Sequence, residues 1–574
     1  MLRRLFAAAA VAATVAHAAD ARACGCFAMG NTAQPVVQAG ERILFAHEGD
    51  QVIAYIQIKY QGAADQFGWI VPLPTVPTLE VGTDELFTML DTQTLPQYRL
   101  TQSQPYCGYG SGSSTQVNGS GGCGFGDADS ASPAAYSDMG FAASRDMAAG
   151  GVVVTQASIG PYDYAVLKAD DQSAMLQWLS DNRYFVPAGT DAAVMPYIHP
   201  GAYFLALKLR GGATAGDIAP IVLRYTSDLP MIPITLTQVG AVDNMGILVW
   251  VAGEARAIPR NYYHVVLDDL PVWFSNFSTY NQDLIDAVHE APGKHGFITQ
   301  YAGGSQLVVN QLDYPGRFGD PATLRTQATP SDFLRYLRLH SYPFDGTMLS
   351  ILERYLPEPP ALVAAGVSPG VYYQNYDNFT QYQPGTDADG GAAMPFDPAP
   401  ITDDIVAGIV TPMKSANALL GRHPYLTRLY TALSPKDMTI DPVFSSNRDL
   451  PDVPLAHSAT LTSPCIGEPW LGTDLGFEAQ YISGLAPNPK IPRALRVELV
   501  RDAGPPELVQ DNTDTIRAAL GPVDHGRAYS PQNGSSSSGC GCTVGARRVR
   551  PNLAILLALS AAALGVRSLR RRRS

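Results

Sequence analysis

Hydrophobic and polar residues alternate between residues 52 and 60, which predicts a β-strand near the start of the chain. One side of that strand carries Val52, Ala54, Ile56, Ile58 and Tyr60, and the other carries Ile53, Tyr55, Gln57 and Lys59. Since successive side chains of a strand point to opposite faces, the pattern predicts one dry face and one that turns polar toward its end. Residues 68–73 predict a second strand, closed by prolines that cannot donate ladder hydrogen bonds.

The same patterns, read along the rest of the chain, predict a mixture of strands and helices. Further strands are predicted at 152–158, 162–168, 203–209, 221–225, 232–237, 247–251, 263–267, 475–482 and 494–500. Helical periodicity predicts helices at 83–92, 170–182, from Thr329 onward, at 347–356, over 403–433 with breaks near Pro412 and Pro424, and at 513–520. We therefore expect an α+β fold. Its body is β-rich and sandwich-like, built from mainly antiparallel strands, with helical segments concentrated after residue 270.

Changes in composition predict how the chain is divided. Residues 1–23 read as a signal peptide and 24–269 as a β-rich domain with a Gly/Ser-rich insertion at 105–150. A mixed helical and β region, 270–525, is expected to pack on that domain. Residues 526–546 read as a flexible linker with a cysteine motif, and 547–574 as a hydrophobic tail ending in an arginine cluster.

The N-terminus has the order of parts that a secretory signal requires. Arg3 and Arg4 precede an apolar run at 5–15, and small-residue cleavage sites follow. Cleavage after Ala23 would leave Cys24 at the mature N-terminus. Lipoprotein processing at Cys24 is the alternative, although Arg22 fits its small-residue motif poorly.

The C-terminal tail predicts anchoring to the cell envelope. A serine run is followed by Cys540 and Cys542, then by apolar residues 553–566, then by arginines at 570–573. This order resembles the C-terminal sorting signal of myxobacterial surface proteins, which implies that export and sorting machinery processes the tail at the two cysteines. The alternative is a plain transmembrane anchor, but 14 helical residues reach only about 21 Å across a hydrocarbon core of about 30 Å.

The net charge of the chain limits the classes of partner that it can bind. The formal net charge is −13, although eight arginines lie after residue 543, so the body of the chain is more acidic still. An acidic body argues against nucleic acid as a partner, because phosphates are neutralised by lysine and arginine.

Seven cysteines in an exported chain predict disulfides. We expect Cys107 to pair with Cys123, while Cys465 can pair with either Cys24 or Cys26.

Several stretches resemble the uncharacterised bacterial family known as domain of unknown function 2330. These are CGCF at 24–27, ERILFAHEGDQVIAYIQIKYQG at 41–62, FGWIVPLP at 67–74, DYAVLKADD, LQWLSDN, MPYIHPGAYFLALKL and YLTRLYTALSPKDMTIDPVF at 425–444. Since no chemistry is established for that family, the resemblance implies no catalytic residues.

Three motifs resemble functional sites but lack the parts that the chemistry needs. The G-x-S-x-G pattern at 366–370 places Pro369 after Ser368, where a hydrolase needs a backbone N–H for its oxyanion hole, so we predict that Ser368 is not a nucleophile. His289 and His295 are six residues apart, whereas zinc proteases need a spacing of four. Asp387 and Asp389 offer weak support for a calcium loop, because Pro398 occupies the position of the bidentate glutamate. We therefore expect no cofactor.

An aromatic cluster is the best candidate for a binding surface. It consists of Tyr372, Tyr373, Tyr376, Phe379 and Tyr382. Flat rings with nearby asparagines suit contact with a glycan or another envelope protein. The alternative is that the rings cover the core beneath a long loop.

The sequence thus predicts an exported, envelope-anchored protein of unknown biochemical activity. A non-enzymatic binding or structural ectodomain is the leading hypothesis, and the membrane is reached through the C-terminal tail. The alternative is a secreted hydrolase whose site is assembled from distant residues. In that case Asp437 and Asp441 would be the first candidates for general acid or base.

Overall fold

The computed structural model describes residues 37–61, 68–104, 152–184, 190–210, 218–269, 279–382, 396–481 and 491–526. All of them lie in one unit, Met1–Arg527. Among these residues, no helix combines the length and the apolar character needed to cross a membrane.

Strands and helices contribute in similar measure to the described chain. The strands are β1 (Val37–Glu48), β2 (Gln51–Gln61), β3 (Gly68–Leu73), β4 (Thr78–Val81), β5 (Gln97–Ser103), β6 (Val153–Ile159), β7 (Tyr162–Lys168), β8 (Tyr203–Leu209), β9 (Ile221–Thr226), β10 (Ala241–Gly253), β11 (Arg256–Pro259), β12 (Tyr263–Leu267), β13 (Gly296–Gly304), β14 (Tyr425–Leu433), β15 (Phe444–Asn447), β16 (Ala456–Thr462), β17 (Trp470–Thr473), β18 (Glu478–Gln480), β19 (Ala494–Leu499) and β20 (Glu507–Asp511). The helices are α1 (Asp84–Thr94), α2 (Gln172–Asp181), α3 (Thr190–Val194), α4 (Ile234–Thr237), α5 (Tyr280–His289), α6 (Gln306–Leu312), α7 (Pro321–Leu324), α8 (Pro330–Leu339), α9 (Gly346–Tyr355), α10 (Pro360–Ala364), α11 (Pro369–Gln374), α12 (Pro398–Ile405), α13 (Thr411–Arg422) and α14 (Thr513–Leu520).

A ten-stranded sheet forms the centre of the fold. Its strand order is β20-β19-β12-β13-β14-β10-β1-β2-β9-β4. Neighbours are mainly antiparallel, and the β1–β10 and β12–β13 pairs are parallel. Strands from both sides of residue 270 pair within this sheet, while the predicted domain boundaries themselves stay predictions.

The strand predicted at 52–60 is confirmed as β2, but its second face is not polar where the chain enters the core. Val52 and Ala54 share an apolar cluster with residues of β3, while Ile53 and Tyr55 pack against helices. All four are at most 1% exposed. A helical layer covers the second face, which the alternation in this strand alone could not show.

A four-stranded antiparallel sheet, in the order β3-β8-β7-β6, packs on one face of the large sheet. Trp69, Val71 and Leu73 from β3 share one apolar cluster with Ile43 and Phe45 from β1. The opposite face of the smaller sheet is covered by α2 and α3. The predicted α+β, β-rich fold is therefore confirmed.

The helical layer on the other face begins where the sequence predicted. Thr329 caps α8 by accepting a hydrogen bond from the backbone N–H of Asp332 at 3.1 Å, with Pro330 at the first helical position.

Between α12 and α13 the helix continues through a π-helical segment, Val406–Val410. Pro412 lies just beyond it. A proline lacks the N–H of a regular turn, and a π-bulge accommodates such a gap without ending the helix.

Two predicted elements are wrong. The helix expected over 403–433 ends at Arg422, and Tyr425–Leu433 is the inner strand β14 between β10 and β13. The strand expected at 232–237 is largely the short helix α4. In both cases pairing with distant segments overrides a local pattern that suits either structure.

A buried ion-pair network joins the central sheet to the helical layer. Arg428 of β14 is 2% exposed and lies 2.6 Å from Asp91 of α1. Arg42 of β1 approaches the same carboxylate at 3.1 Å. Thr94 accepts hydrogen bonds from Arg428 at 3.1 Å and from the indole N–H of Trp250 at 2.9 Å. These contacts fix α1 against three strands of the sheet.

A half-buried carboxyl in the first turn of α1 predicts a pH dependence of stability. Burial, with the nearby Asp345, raises the pKa of Asp84 to about 6, while Gln57 donates a hydrogen bond to it at 2.5 Å. The folded state therefore keeps a proton between about pH 4 and 6 that the unfolded chain releases, so the free energy of unfolding falls as pH rises through that range.

The substitution Asp84→Asn keeps the acceptor for Gln57 and removes the titration. We expect a shallower fall between pH 4 and 6, and a free energy of unfolding higher by on the order of 1–3 kcal/mol at pH 7, measured by urea unfolding. Asp171→Asn, at an exposed cap whose pKa is lowered by hydrogen bonds, is the control and should leave this pH range unchanged. An identical slope in the wild type and Asp84→Asn would contradict the prediction.

Candidate functional site: an apolar cavity between two sheets

The ten-stranded sheet and the four-stranded sheet β3-β8-β7-β6 do not fill the space between them completely. A cavity of about 190 Å³ remains, lined mainly by apolar side chains of both sheets and of the segments around residues 197–202 and 229–237. Natural cores rarely leave such space, because close packing stabilises them. A well-formed apolar cavity with a few polar groups is the usual form of a ligand site.

The first wall is the central sheet. Phe45, Ala54 and Leu223 are opposite one another on β1, β2 and β9, and all three line the cavity. Ile43 and Ile56 form the neighbouring row. The small Ala54 between two large side chains leaves part of the space empty.

The second wall is β3. Trp69, Val71 and Leu73 alternate along this strand and share the cluster of the first wall. Trp69 and Leu73 are four positions apart, which is about 13 Å along a strand, so this wall lines an elongated stretch of the cavity. This length suits a flat ring or a short chain better than a compact polar group.

The two ends of the lined stretch are polar. Thr75 accepts a hydrogen bond from the backbone N–H of Thr226 at 3.0 Å, which holds the end of β3 against β9. At this end the exposed His199 and the half-buried Ser227 form the rim. Glu41, which is 6% exposed, lines the cavity four residues before Phe45 on β1.

A hydrogen-bonded pair fixes the remaining wall. Tyr197 donates to Asp441 at 2.6 Å, and Asp441 also accepts from the backbone N–H of Thr235 at 2.9 Å. Burial raises the pKa of Tyr197, and the Asp441 carboxylate raises it further, so the phenol stays a proton donor at neutral pH. Asp437, the other carboxylate proposed from the sequence, instead pairs with Lys294 at 3.2 Å. The two aspartates are held by separate sets of partners.

Most of the aromatic cluster lies in the core. Tyr372, Tyr373 and Tyr376 are 1%, 0% and 5% exposed, Phe379 is half-buried, and Tyr382 is 40% exposed. The first three rings pack together beside the helices, and Tyr373 donates to the carbonyl of Leu356 at 2.8 Å. Buried rings cannot present a flat surface, so the arrangement is that of the alternative interpretation, in which they cover the core.

The remaining motifs occupy structural positions. His289 and His295 each contact a backbone carbonyl, that of Ala432 at 3.2 Å and that of Asp437 at 3.1 Å. Ser368 precedes the short helix α11, which the sequence analysis did not expect, although Pro369 at its first position still lacks an N–H. In the described part of the chain, no three His, Cys, Asp or Glu side chains form a group suited to a metal.

Several predicted residues lie outside the described residues. They are Cys24, Cys26, Cys107, Cys123, Asp387, Asp389, Cys540 and Cys542, together with the signal peptide and the tail. Cys465 is described and is disulfide-bonded. The pairing of the other cysteines stays a prediction.

The sequence analysis did not identify the cavity, because no motif marks it. Its residues come from strands that are far apart in the chain, and each strand alone reads as ordinary core. A partial signal was present in Ala54, a small residue within a run of large apolar ones, but an alanine in a strand is common.

The fold and the cavity define an α+β protein with a ligand-sized apolar space between two sheets. Residues 18–301, just under half of the chain, match the family described as an uncharacterized protein conserved in bacteria (DUF2330), the family that the sequence stretches resemble. Every residue that lines the cavity, from Glu41 to Thr237, falls inside the match. No curated protein and no solved structure matches the chain.

The cavity predicts that the same substitution has different consequences on the two faces of the β1–β2 hairpin. Ala54→Leu places the larger side chain into the cavity and should change the free energy of unfolding by less than about 1 kcal/mol. Ala46, which is 0% exposed, faces the filled helical core, so Ala46→Leu should cost about 1–3 kcal/mol. Urea unfolding measures both values, and equal losses would show that the space near Ala54 is filled.

Proposed function

We propose that this protein is an exported, envelope-anchored binding protein that holds a small apolar ligand between its ten-stranded sheet and the four-stranded sheet that contains β3. The observation that carries the proposal is the cavity itself, which lies entirely within the family-matched part of the chain. Its exposed rim, with His199 and Pro74, gives a ligand a place to enter.

The size and lining of the cavity indicate the class of ligand. An apolar cavity of about 150 Å³ is enough to hold benzene, so about 190 Å³ accommodates a ring or a short acyl segment. Burying about six carbons contributes roughly 5 kcal/mol at about 0.8 kcal/mol per methylene, before the cost of immobilisation. Since 5 kcal/mol corresponds to a dissociation constant of about 0.2 mM before that cost, an affinity in the millimolar range is expected.

The polar groups of the cavity favour a ligand with one polar end. Ser227 and His199 at the rim can hydrogen-bond a hydroxyl, while Phe45, Val71 and Leu73 contact its hydrocarbon part. A glycan or protein partner on the aromatic cluster has less support, since three of its five rings are buried.

Binding is a stronger proposal than hydrolysis. The hydrolase alternative would use Asp437 or Asp441 as general acid or base, and each of them is held by partners within the fold: Lys294 for the first, Tyr197 and Thr235 for the second. Asp441 already accepts two hydrogen bonds that hold the cavity wall, which accounts for its position without catalysis.

The exported location rests on the two ends of the chain. Arg3 and Arg4 with the apolar run at 5–15 support secretion, and the order of Cys540, Cys542, apolar residues and arginines supports anchoring through the tail. An apolar ligand is compatible with an envelope protein, because lipids and their breakdown products are abundant there.

The ligand proposal predicts saturable binding of a small amphiphile. Addition of n-hexanol should change the fluorescence of Trp69, which lines the cavity, and raise the melting temperature in a saturable way. Ala54→Leu should weaken binding by about tenfold or more, because it occupies the same space.

Two variants control this experiment. Trp69→Phe assigns the signal to that indole, and Leu339→Ala removes an apolar side chain that is 73% exposed and remote from the cavity lining. Binding that is unaffected by Ala54→Leu but lost in Leu339→Ala would place the amphiphile on the surface and reject the cavity.

The anchoring proposal predicts processing of the tail. In its own host, the mature protein should have a mass that lacks the signal peptide and the residues after the cysteine motif. Replacing Cys540 and Cys542 by alanine should leave the tail uncut or misplace the protein, while the body still folds. Intact-mass analysis decides: a wild-type mass that includes everything through Ser574 would leave a plain membrane anchor.

A further inference from the structure

Among the described residues, four arginines are buried, and one of them differs from the rest. Arg256 is 6% exposed, and no carboxylate of the described residues lies within ion-pair distance of it. The other three each contact a carboxylate: Arg317 with Glu85 at 2.5 Å, Arg428 with Asp91 at 2.6 Å and Arg493 with Asp283 at 2.6 Å. A buried cation without a paired anion is costly, so the fold has a reason to keep Arg256.

Neutral groups hold Arg256 in place. Its Nη2 contacts His264 Nε2 at 3.0 Å and donates to Thr299 Oγ1 at 3.2 Å, while Nη1 donates to the carbonyl of Pro451 at 3.0 Å. The Nδ1 of His264 contacts Glu498 at 3.1 Å. In the neutral tautomer that carries its proton on Nδ1, His264 donates to Glu498 and its Nε2 accepts from the guanidinium of Arg256. Burial lowers the pKa of His264, which favours the neutral imidazole.

The donors of Arg256 are not all used. A guanidinium has five N–H donors, and Nε is buried with no hydrogen-bond partner. Nε is enclosed by the protein, and the contacts above use both N–H groups of Nη2 and one of Nη1, so among the described residues the second N–H of Nη1 has no contact and is left for a ligand. Such an arrangement is preorganised for an acceptor that arrives from outside the fold.

Arg256 lies in a polar cleft of about 320 Å³. The exposed Arg448 adds a second cation to its lining, and the exposed Glu254 and Asp452 add two carboxylates. Tyr425 donates a hydrogen bond to Asp452 at 2.6 Å, which orients that carboxylate. This cleft is built by β11, the start of β14 and residues 447–452, and it shares no lining residue with the apolar cavity.

We propose that this cleft is a second ligand site, which binds a small carboxylate through Arg256 and Arg448. The remaining N–H of Arg256 and the exposed guanidinium of Arg448 can each donate to one of the two oxygens of a carboxylate. The rim carboxylates Glu254 and Asp452 repel a dianion such as phosphate more than a monoanion, and they attract a ligand that also carries an ammonium group. The site is independent of the proposed apolar ligand.

The test uses the full-length protein and three probes: acetate, glycine and inorganic phosphate at constant ionic strength in chloride. Saturation-transfer NMR and calorimetry should show saturable binding of acetate and glycine, with phosphate weaker than both. Tighter binding of glycine than of acetate is the expected effect of Glu254 and Asp452.

Substitutions connect the binding to the two arginines. Arg256→Lys keeps the charge but loses the fork of donors, and should weaken acetate binding about tenfold or more. Arg448→Ala, at an exposed position, should weaken it about three- to tenfold. Arg210→Ala removes an arginine whose side chain is 57% exposed and lies outside the cleft, and should change nothing.

The outcomes that overturn the proposal are equally specific. They are no saturable binding of either carboxylate, binding of phosphate alone, or binding that Arg448→Ala and Arg256→Lys leave unchanged. Should Arg256→Lys fail to fold, Arg448→Ala decides by itself, because its side chain is exposed and the fold does not depend on it.

Discussion

The ion pair between Arg428 and Asp91 is the contact on which the architecture depends. Arg428 is on an inner strand and Asp91 on α1, 337 residues away along the chain. Breaking a buried pair by removing one partner typically costs about 3–5 kcal/mol, because the other charge is left unpaired in the core. Trp250, whose ring lies 5.4 Å from the Arg428 guanidinium, and Thr94 complete the group. The pair therefore ties the helical layer to the sheet at one position and one orientation.

Fixing the helices on one face leaves the other face of the large sheet for the smaller one. There the packing is incomplete, because Ala54 lies between the larger Phe45 and Leu223. Tyr197 and Asp441 support the wall at one side of the cavity, and Thr75 holds the end of β3 against β9. The cavity is thus a consequence of how two rigid sheets meet, and rigid walls suit a binding site better than a deformable one.

The buried arginines show two different uses of the same residue. Arg317, Arg428 and Arg493 are neutralised by carboxylates of the chain and act as internal ties. Arg256 is held by His264, which is itself held by Glu498, so its charge is positioned but not cancelled in direct contact. An external anion would bind most strongly at a buried positive charge that the fold holds in place but does not neutralise.

The sequence by itself determined the elements whose signals are local. The alternation at 52–60 predicted β2, and Thr329 followed by Pro330 predicted the start of α8, because period and capping depend on neighbours in the chain. The β-rich α+β class and the family also followed from such stretches. The tertiary structure alone decided that Tyr425–Leu433 is a strand, because its pattern suits a helix as well, and pairing with β10 and β13 selects the extended form. It also decided the cavity and the isolation of Arg256, since both arise where distant segments meet, and no local pattern records the distance between residues far apart in the chain.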